Sequence, residues 1–553
     1  MSHSAHTPWK RFMRLLQAER VLVIRIFVIA AFGGLIGLSL PLGIQSIVSF
    51  IQAGRISTSW IVLISFVLIG ILMSGWLQIK QQRLVEYLQQ RIFAKASLEF
   101  ALRLPRIRFN EWEKRNPAEL MNRFFDVITI QKSLSKLVID FSTAILQVFF
   151  GLILLALYHP FFILFDLLLI ILVIVLIRMT MTQGLETSIK ESGYKYKVAG
   201  WLEEVAANIE SFRMTPKTDL HVENTDKTTL RYLDARDGHF NVLVRHYYAL
   251  IFFKFLIAAG LLVLGSLLVI NNQIGIGQFV AAEIVILLIT GSIEKIILNL
   301  DSVYDVLTAL DKVGHVTDMP LENKGEIDRF SSNEELFVAE EFSVEGSAYS
   351  VPITCKKFTI SRGERIVILY DHPLFVRTMM QLLTGRTTDF NGHLSYKGRS
   401  MKSINLKQLR TEMGEVWGRD ELITGTIIEN IEAGRKDIPF ERIEQVLNEI
   451  GLMNDIRILP EAEVTRVHPY SNLLSSTITK GILLARNLID EPDILLVDAE
   501  QLPSDPIRHK KMLEYLLDPF HPWAVIFLSE SAPDSQFFDR IYRFDKGQLT
   551  SES

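Results

Sequence analysis

Residues 366–392 read IVILYDHPLFVRTMMQLLTGRTTDFNG. The run RIVIL (365–369) is β-branched and apolar, the pattern of a strand buried on both faces. RTMMQLLTG (377–385) has the spacing of an amphipathic helix. Between them lies the loop YDHPLFV (370–376). A strand, a tight loop and a helix form the frame in which many proteins cradle phosphate, because backbone N–H groups at the helix start point at the anion. Such loops use glycine for close backbone approach and lysine for charge. This loop has neither residue. Proline has no N–H to offer. Tyrosine and phenylalanine fill space and resist positive φ.

The surrounding chain is long and apolar. It has 553 residues, 49% of them hydrophobic, with a net charge of −4. Mean hydropathy is +0.25, which points to a membrane protein. A near-neutral balance gives no nucleic-acid signature. The single cysteine, Cys355, excludes an intrachain disulfide or a cysteine-based zinc site. No cleavable signal peptide is expected. Lys10, Arg11, Arg14 and Arg20 precede the first apolar run, a bias that predicts a cytoplasmic N-terminus. WKRFMRLL is amphipathic and is expected to lie along the membrane surface.

A membrane span needs about 20 mostly apolar residues. Residues 24–51, 59–79, 138–158, 160–182, 247–270 and 277–300 qualify, predicting six spans in three hairpins. The stretches after spans two and four, roughly 60 residues each, are too long for simple loops. They are expected to be spans that continue into the cytoplasm and turn back near RFNEWEKRNPAEL and WLEEVAANIESF. From about residue 334 the composition changes. ERIVIL, DILLVD and AVIFLS alternate with amphipathic helices, which predicts an α/β domain with a largely parallel sheet. The expected organisation is a membrane domain at 1–312, a linker at 313–333 and an α/β domain at 334–553.

Six spans followed by such a domain resemble the ATP-binding-cassette exporters, and the likeness covers nearly the whole chain. LPRIRFNEWEKRNPAELMNRFFDV resembles the first coupling-helix region, with Leu104, Pro105, Phe109, the Asn116–Glu119 turn, Arg123 and Asp126 in place. The membrane half looks most similar to haemolysin-type secretion exporters. In the second half FTISRGERIVIL, LLTGRTTDFNGHLSYKG, LKQLRTEMGEV, ITGTIIENI, IRILPEAEVTRV, GILLARNLIDEPDILLVDAE and DRIYRFDKGQL follow in family order. The implied fold is an all-α six-helix transmembrane exporter domain followed by an α/β P-loop NTPase-like cassette.

The chemical stations of that family are mostly replaced. Read against its phosphate loop, Tyr370, Pro373 and Phe375 stand at glycines, Val376 at the lysine and Arg377 at the hydroxyl, and Thr378 keeps the expected type. Arg377 is one residue late and points about 100° away around the helix. Asp498 matches the magnesium aspartate, but Ala499 stands at the water-polarising glutamate. Glu500, one residue on, faces the other way if the strand continues. Gly418 replaces the Q-loop glutamine and Ser529 the switch histidine. The signature reads LSSTI, with Leu474 and Ser475 kept and Ser476, Thr477 and Ile478 changed. Asp505 matches the last residue of the D-loop. Val344 falls nearest the register of the stacking aromatic, with Phe342 and Tyr349 nearby. The residual cofactor-binding positions are therefore Thr378, Asp498 and Asp505. No catalytic residue, metal ligand or confident cofactor is expected. ATP and magnesium enter only through a rewired site or a partner.

Asp166, Lys254 and Glu283 lie in or near spans, where ionisable groups are costly. They read either as a polar path or inter-helix pair, or as groups near an interface that snorkel. The histidines show no metal-ligand spacing. The pairs Glu203 with Glu204 and Glu340 with Glu341 are adjacent and diverge. The leading expectation is a dimeric exporter half-transporter with a pseudo-ATPase cassette, in a bacterial inner membrane with the cassette cytoplasmic. A homodimer and a heterodimer with another half-transporter are both open. The alternatives are a membrane scaffold that anchors an envelope partner such as a periplasmic adaptor, and an ATP-driven exporter with a rewired site.

Overall fold

The computed structural model describes residues 7–52, 58–112, 115, 117–214, 218–322, 325, 334–346, 350–416, 422–469, 474–503, 505–532 and 535–552. The chain divides into two compact units. One comprises Met1–Ile107 and Glu111–Pro320, the other Arg108–Asn110 and Leu321–Ser553.

The first unit is helical. Helix α1 (Pro8–Ala18) precedes α2 (Arg20–Gly37) and α3 (Ser39–Gln52). The break between α2 and α3 falls where Pro41 cannot donate to the Gly37 carbonyl. Helix α4 (Thr58–Arg103) is followed by two short helices, α5 (Phe109–Trp112) and α6 (Pro117–Asn122), at the first reversal. Then come α7 (Asp126–Tyr158), α8 (Pro160–Ala207), the short α9 (Ile209–Arg213) at the second reversal, α10 (Leu220–Ile270), α11 (Ile276–Leu298) and α12 (Leu300–Thr317). At 1.5 Å per residue, α8 and α10 are about 75 Å long, well over twice a hydrocarbon core. The spans therefore continue beyond any bilayer, as their length in sequence predicts.

Five described helical stretches are long and apolar enough to cross a membrane: Arg20–Gln52, Thr58–Arg106, Glu119–Tyr158, Leu220–Ile270 and Ile276–Thr317. The sixth expected span lies in α8, whose apolar part is Pro160–Val175. Close packing uses glycine at defined points. A Cβ on Gly184 would sit 2.2 Å from the Tyr304 ring of α12. Helix α1 docks through Arg11, which is buried and pairs with Asp311 at 3.3 Å and Asp318 at 2.6 Å. Near the first reversal Arg123 lies 4.4 Å from the centre of the Tyr196 ring, and the Tyr196 hydroxyl donates to Asp126. Among the flagged membrane charges, Lys254 pairs with Glu294 of α11 at 2.7 Å, Asp166 is buried in α8, and Glu283 is half-buried.

The second unit is built on a ten-stranded sheet in the order β5-β4-β1-β2-β12-β11-β3-β10-β9-β6. Its strands are β1 (Glu335–Val344), β2 (Ile353–Ser361), β3 (Arg365–Tyr370), β4 (Asn391–Tyr396), β5 (Arg399–Ser400), β6 (Met413–Val416), β9 (Ile494–Asp498), β10 (Ala524–Ser529), β11 (Arg540–Asp545) and β12 (Gln548–Glu552). A separate two-stranded ribbon joins β7 (Gly425–Thr426) to β8 (Arg466–Val467). The helices are α13 (Leu374–Leu383), α14 (Leu406–Thr411), α15 (Ile427–Glu432), α16 (Phe440–Glu449), α17 (Met453–Arg457), α18 (Ser476–Leu488) and α19 (Pro506–Leu516). Strands β11, β3, β10, β9 and β6 are mutually parallel; β1, β2, β4 and β5 form an antiparallel wing. Alternate residues of β3 enter separate cores. Ile366, Ile368 and Tyr370 face one, and Val367 and Leu369 face the other. Burial on both faces is why this strand reads as an unbroken apolar run.

Candidate nucleotide site

Ligands of open parallel sheets bind at the carboxyl ends of the strands. Here β3, β10 and β9 lie side by side, with Leu369 opposite Ser529 and Leu528 opposite Asp498. Three positions singled out in the sequence thus come to one edge: Tyr370 at the end of β3, Ser529 at the end of β10 and Asp498 at the end of β9.

The loop after β3 is closed by its own side chains. Helix α13 begins at Leu374, three residues earlier than the sequence pattern predicts, with Pro373 before it at φ −57° and ψ −30°. No residue from Tyr370 to Val376 takes a positive φ. The Leu374 N–H donates to His372 Nδ1 at 3.2 Å, and the Phe375 N–H donates to the His372 carbonyl at 2.9 Å. Two of the first amides of the helix, the groups that would face an anion, are thereby engaged within the loop. The Phe375 ring is fully buried and stacks on Phe544 of β11 with centroids 4.2 Å apart. Phe544 is opposite Tyr370 in register. Val376 is buried in the same core. Burying a phenylalanine is worth about 2–3 kcal/mol, so this is a stable filling of the space. The Thr378 hydroxyl, also buried, donates to the Leu374 carbonyl at 2.9 Å and accepts from the Val351 N–H at 3.2 Å.

Comparison with known proteins places this architecture. The model of the ABC transporter transmembrane region matches residues 23–293, and that of the ABC transporter cassette matches residues 356–500. The chain belongs to the ABC transporter family. A solved bacterial Atm1-family ABC exporter with ATP bound superposes with a TM-score of 0.85 over 96% of this chain and 94% of its own, at 16% identity. The likeness is one of fold. P-glycoprotein 14 of Caenorhabditis elegans is 28% identical over 193 residues, which is 35% of this chain and 14% of that protein. The mitochondrial iron-sulfur clusters transporter ATM1 of Candida albicans is 26% identical over 198 residues, 35% of this chain and 26% of its own. The matched stretches thus span a small part of these relatives. One transmembrane region and one cassette give this ABC transporter a half-transporter architecture.

The other stations of the transporter's cassette are distributed as follows. Asp498 is buried; it accepts from the Glu500 N–H at 3.2 Å and from Gln501 Nε2 at 3.3 Å. Burial raises the Asp498 carboxyl above its ordinary range, and the Glu500 carboxylate adds to this, against the two hydrogen bonds and the Lys480 charge. The chain turns into a 3₁₀ helix at Ala499–Gln501. Burial also raises the Tyr370 phenol, reinforced by the carboxylates of Asp498, Glu530 and Glu500. Ser529 donates to the Ser531 carbonyl at 2.7 Å. Ser475 caps α18, its hydroxyl accepting from the Ile478 N–H at 3.3 Å. Asp505 caps α19 through the Arg508 N–H at 2.9 Å. Phe342 is buried against Phe390, and Val344 is buried too. Gly418 and Tyr349 lie outside the described residues. His372, Phe544 and Gln501 are the residues that the sequence pattern did not single out. Only the histidine, two residues before the helix start, carries a local signal.

Proposed function

We propose that this chain is the export subunit of a dimeric ABC exporter whose cassette has given up binding and hydrolysing ATP, and now serves as a scaffold. The observation that carries this reading is the Phe375–Phe544 stack, formed by a residue standing where the family has glycine. The residues present do not fit MgATP. Val376 stands at the lysine and is buried, and two helix amides are satisfied by His372. Phosphoryl transfer needs cationic and metal charge stabilisation on the γ-phosphate. The loop from Tyr370 to Val376 holds no lysine or arginine to supply that charge. Thr378, Asp498 and Asp505 are the residual site positions. In this reading they act as structural caps: a sealed hydroxyl, a strand end and a helix cap.

In a heterodimer one phosphate loop faces the other subunit's signature, and here both motifs are altered. That favours a homodimer. The same proposal carries the division at 1–312, 313–333 and 334–553, a cytoplasmic cassette and a bacterial inner membrane. The alternative reading, a non-transporting membrane scaffold, would anchor an envelope partner such as a periplasmic adaptor. Turnover by the purified dimer in lipid, with a competent exporter as control, tests the reading. Phosphate release at the background rate supports it, and saturable ATP-dependent release refutes it.

A further inference from the structure

A polar cavity of about 90 Å³ lies among α2, α4 and α7 of the transmembrane unit, lined by Ser74, Gln78, Gln81, Thr143 and Gln147 and by apolar and glycine positions of α2. In lipid, each polar group must find its partner within the protein. Other hydroxyls of this bundle do so by bonding back along their helix: Ser46 to the Leu42 carbonyl and Ser65 to the Ile61 carbonyl. Among the described residues, Ser74 and Thr143 have no such bond. Gln81 is 4% exposed and uses only its Nε2, on the Ser142 hydroxyl at 3.0 Å. Gln147 uses only its Oε1, accepting from the Ser292 hydroxyl at 3.0 Å. An acceptor on Gln81 and a donor on Gln147 are thus left without a protein partner among the described residues.

The wall opposite is open. A Cβ on Gly33 or Gly37 would meet nothing within 4 Å, whereas one on Gly34 would meet Phe150 at 3.3 Å. Among the described residues no charged side chain lines the cavity, so an ion entering it finds no counter-charge to offset its desolvation. The volume equals about three waters' share of liquid, enough for a group of a few heavy atoms.

We propose that this cavity is a binding site for a neutral amide group of a transported molecule, a carboxamide or a single peptide unit. The amide carbonyl accepts from Gln147 Nε2 and its N–H donates to Gln81 Oε1, with Ser74, Thr143 and Gln78 available to a second amide hydrogen. The proposal rests on the exporter architecture and is indifferent to whether the cassette binds ATP.

The test places a cysteine in the wall of the full-length protein in lipid: Gly37→Cys in a Cys355→Ala background, with Gly33→Cys as a second site should the first fail to fold. Labelling by a small methanethiosulfonate is timed with N-methylacetamide or acetamide present. Half-maximal protection is expected at millimolar amide, in keeping with so small a ligand. Acetate and methylammonium should not protect, and protection should vanish in Gln81→Leu with Gln147→Leu. Labelling that no amide slows would mean a cavity holding water only and would overturn the proposal. So would equal protection by the ions, protection that survives the double leucine variant, or folded proteins that label at neither cysteine.

Discussion

Replacing Phe375 by alanine removes a ring that is fully buried and stacked on Phe544 at 4.2 Å. Phenylalanine-to-alanine changes in packed cores cost about 3–5 kcal/mol. The aromatic pair itself accounts for about 1 kcal/mol of that. A domain's total stability is about 5–15 kcal/mol, so the cassette should stay folded but open far more often. Hydrogen exchange by mass spectrometry on the full-length protein reads this directly. Amides of β3 and β11, which are parallel neighbours in the sheet, should exchange about 10²- to 10³-fold faster, at about 1.4 kcal/mol per factor of ten. Peptides of α4 and α10 in the other unit serve as the internal reference and should not change. Phe375→Leu, which refills part of the space, should recover much of the protection. Less than about tenfold acceleration in Phe375→Ala would mean that the ring is not a packing element, and a loop open to a ligand would then be the better description.

Restoring three family residues at once, Phe375→Gly with Val376→Lys and Arg377→Ser, should not bring back tight ATP binding, because the other stations remain altered; micromolar binding by calorimetry would show that the loop was the sole lesion. Burial raises the Asp498 carboxyl, so its ionised form destabilises the fold. The contribution is favourable at low pH and is lost as pH rises through the raised value. Asp498→Asn should therefore melt higher than the parent at neutral pH, with the difference shrinking as pH falls into the carboxylate range; a lower melting point at neutral pH would contradict this. Arg11→Ala leaves Asp311 and Asp318 without their charged donor and should cost about 2 kcal/mol, read as faster exchange confined to α1 and the end of α12.

Much of the fold is legible in the sequence because its signals are local. The six apolar runs and the excess length of the helices beyond them follow from composition alone. The run at 366–369 reads as a doubly buried strand because both faces of β3 meet a core. The start of α13 is misplaced by three residues because Leu374, Phe375 and Val376 extend the apolar character of the loop, and Pro373 hides a helix start that it in fact tolerates. The filling of the phosphate loop is only half legible. Bulky residues at glycine positions are visible at once. That Phe375 packs on Phe544 is not, because the two are separated in sequence by most of the cassette. The sequence offers an inter-helix pair for Lys254 but not its partner, because Glu294 lies on a different helix.

Equilibrium binding of MgATP to the purified full-length protein in lipid tests the central claim most directly. A closed loop, with His372 on the helix amides and Phe375 against Phe544, predicts no saturable heat up to millimolar nucleotide and no nucleotide-dependent shift in melting temperature. Saturable micromolar binding that Val376→Glu abolishes would place the phosphates in this loop and contradict the claim.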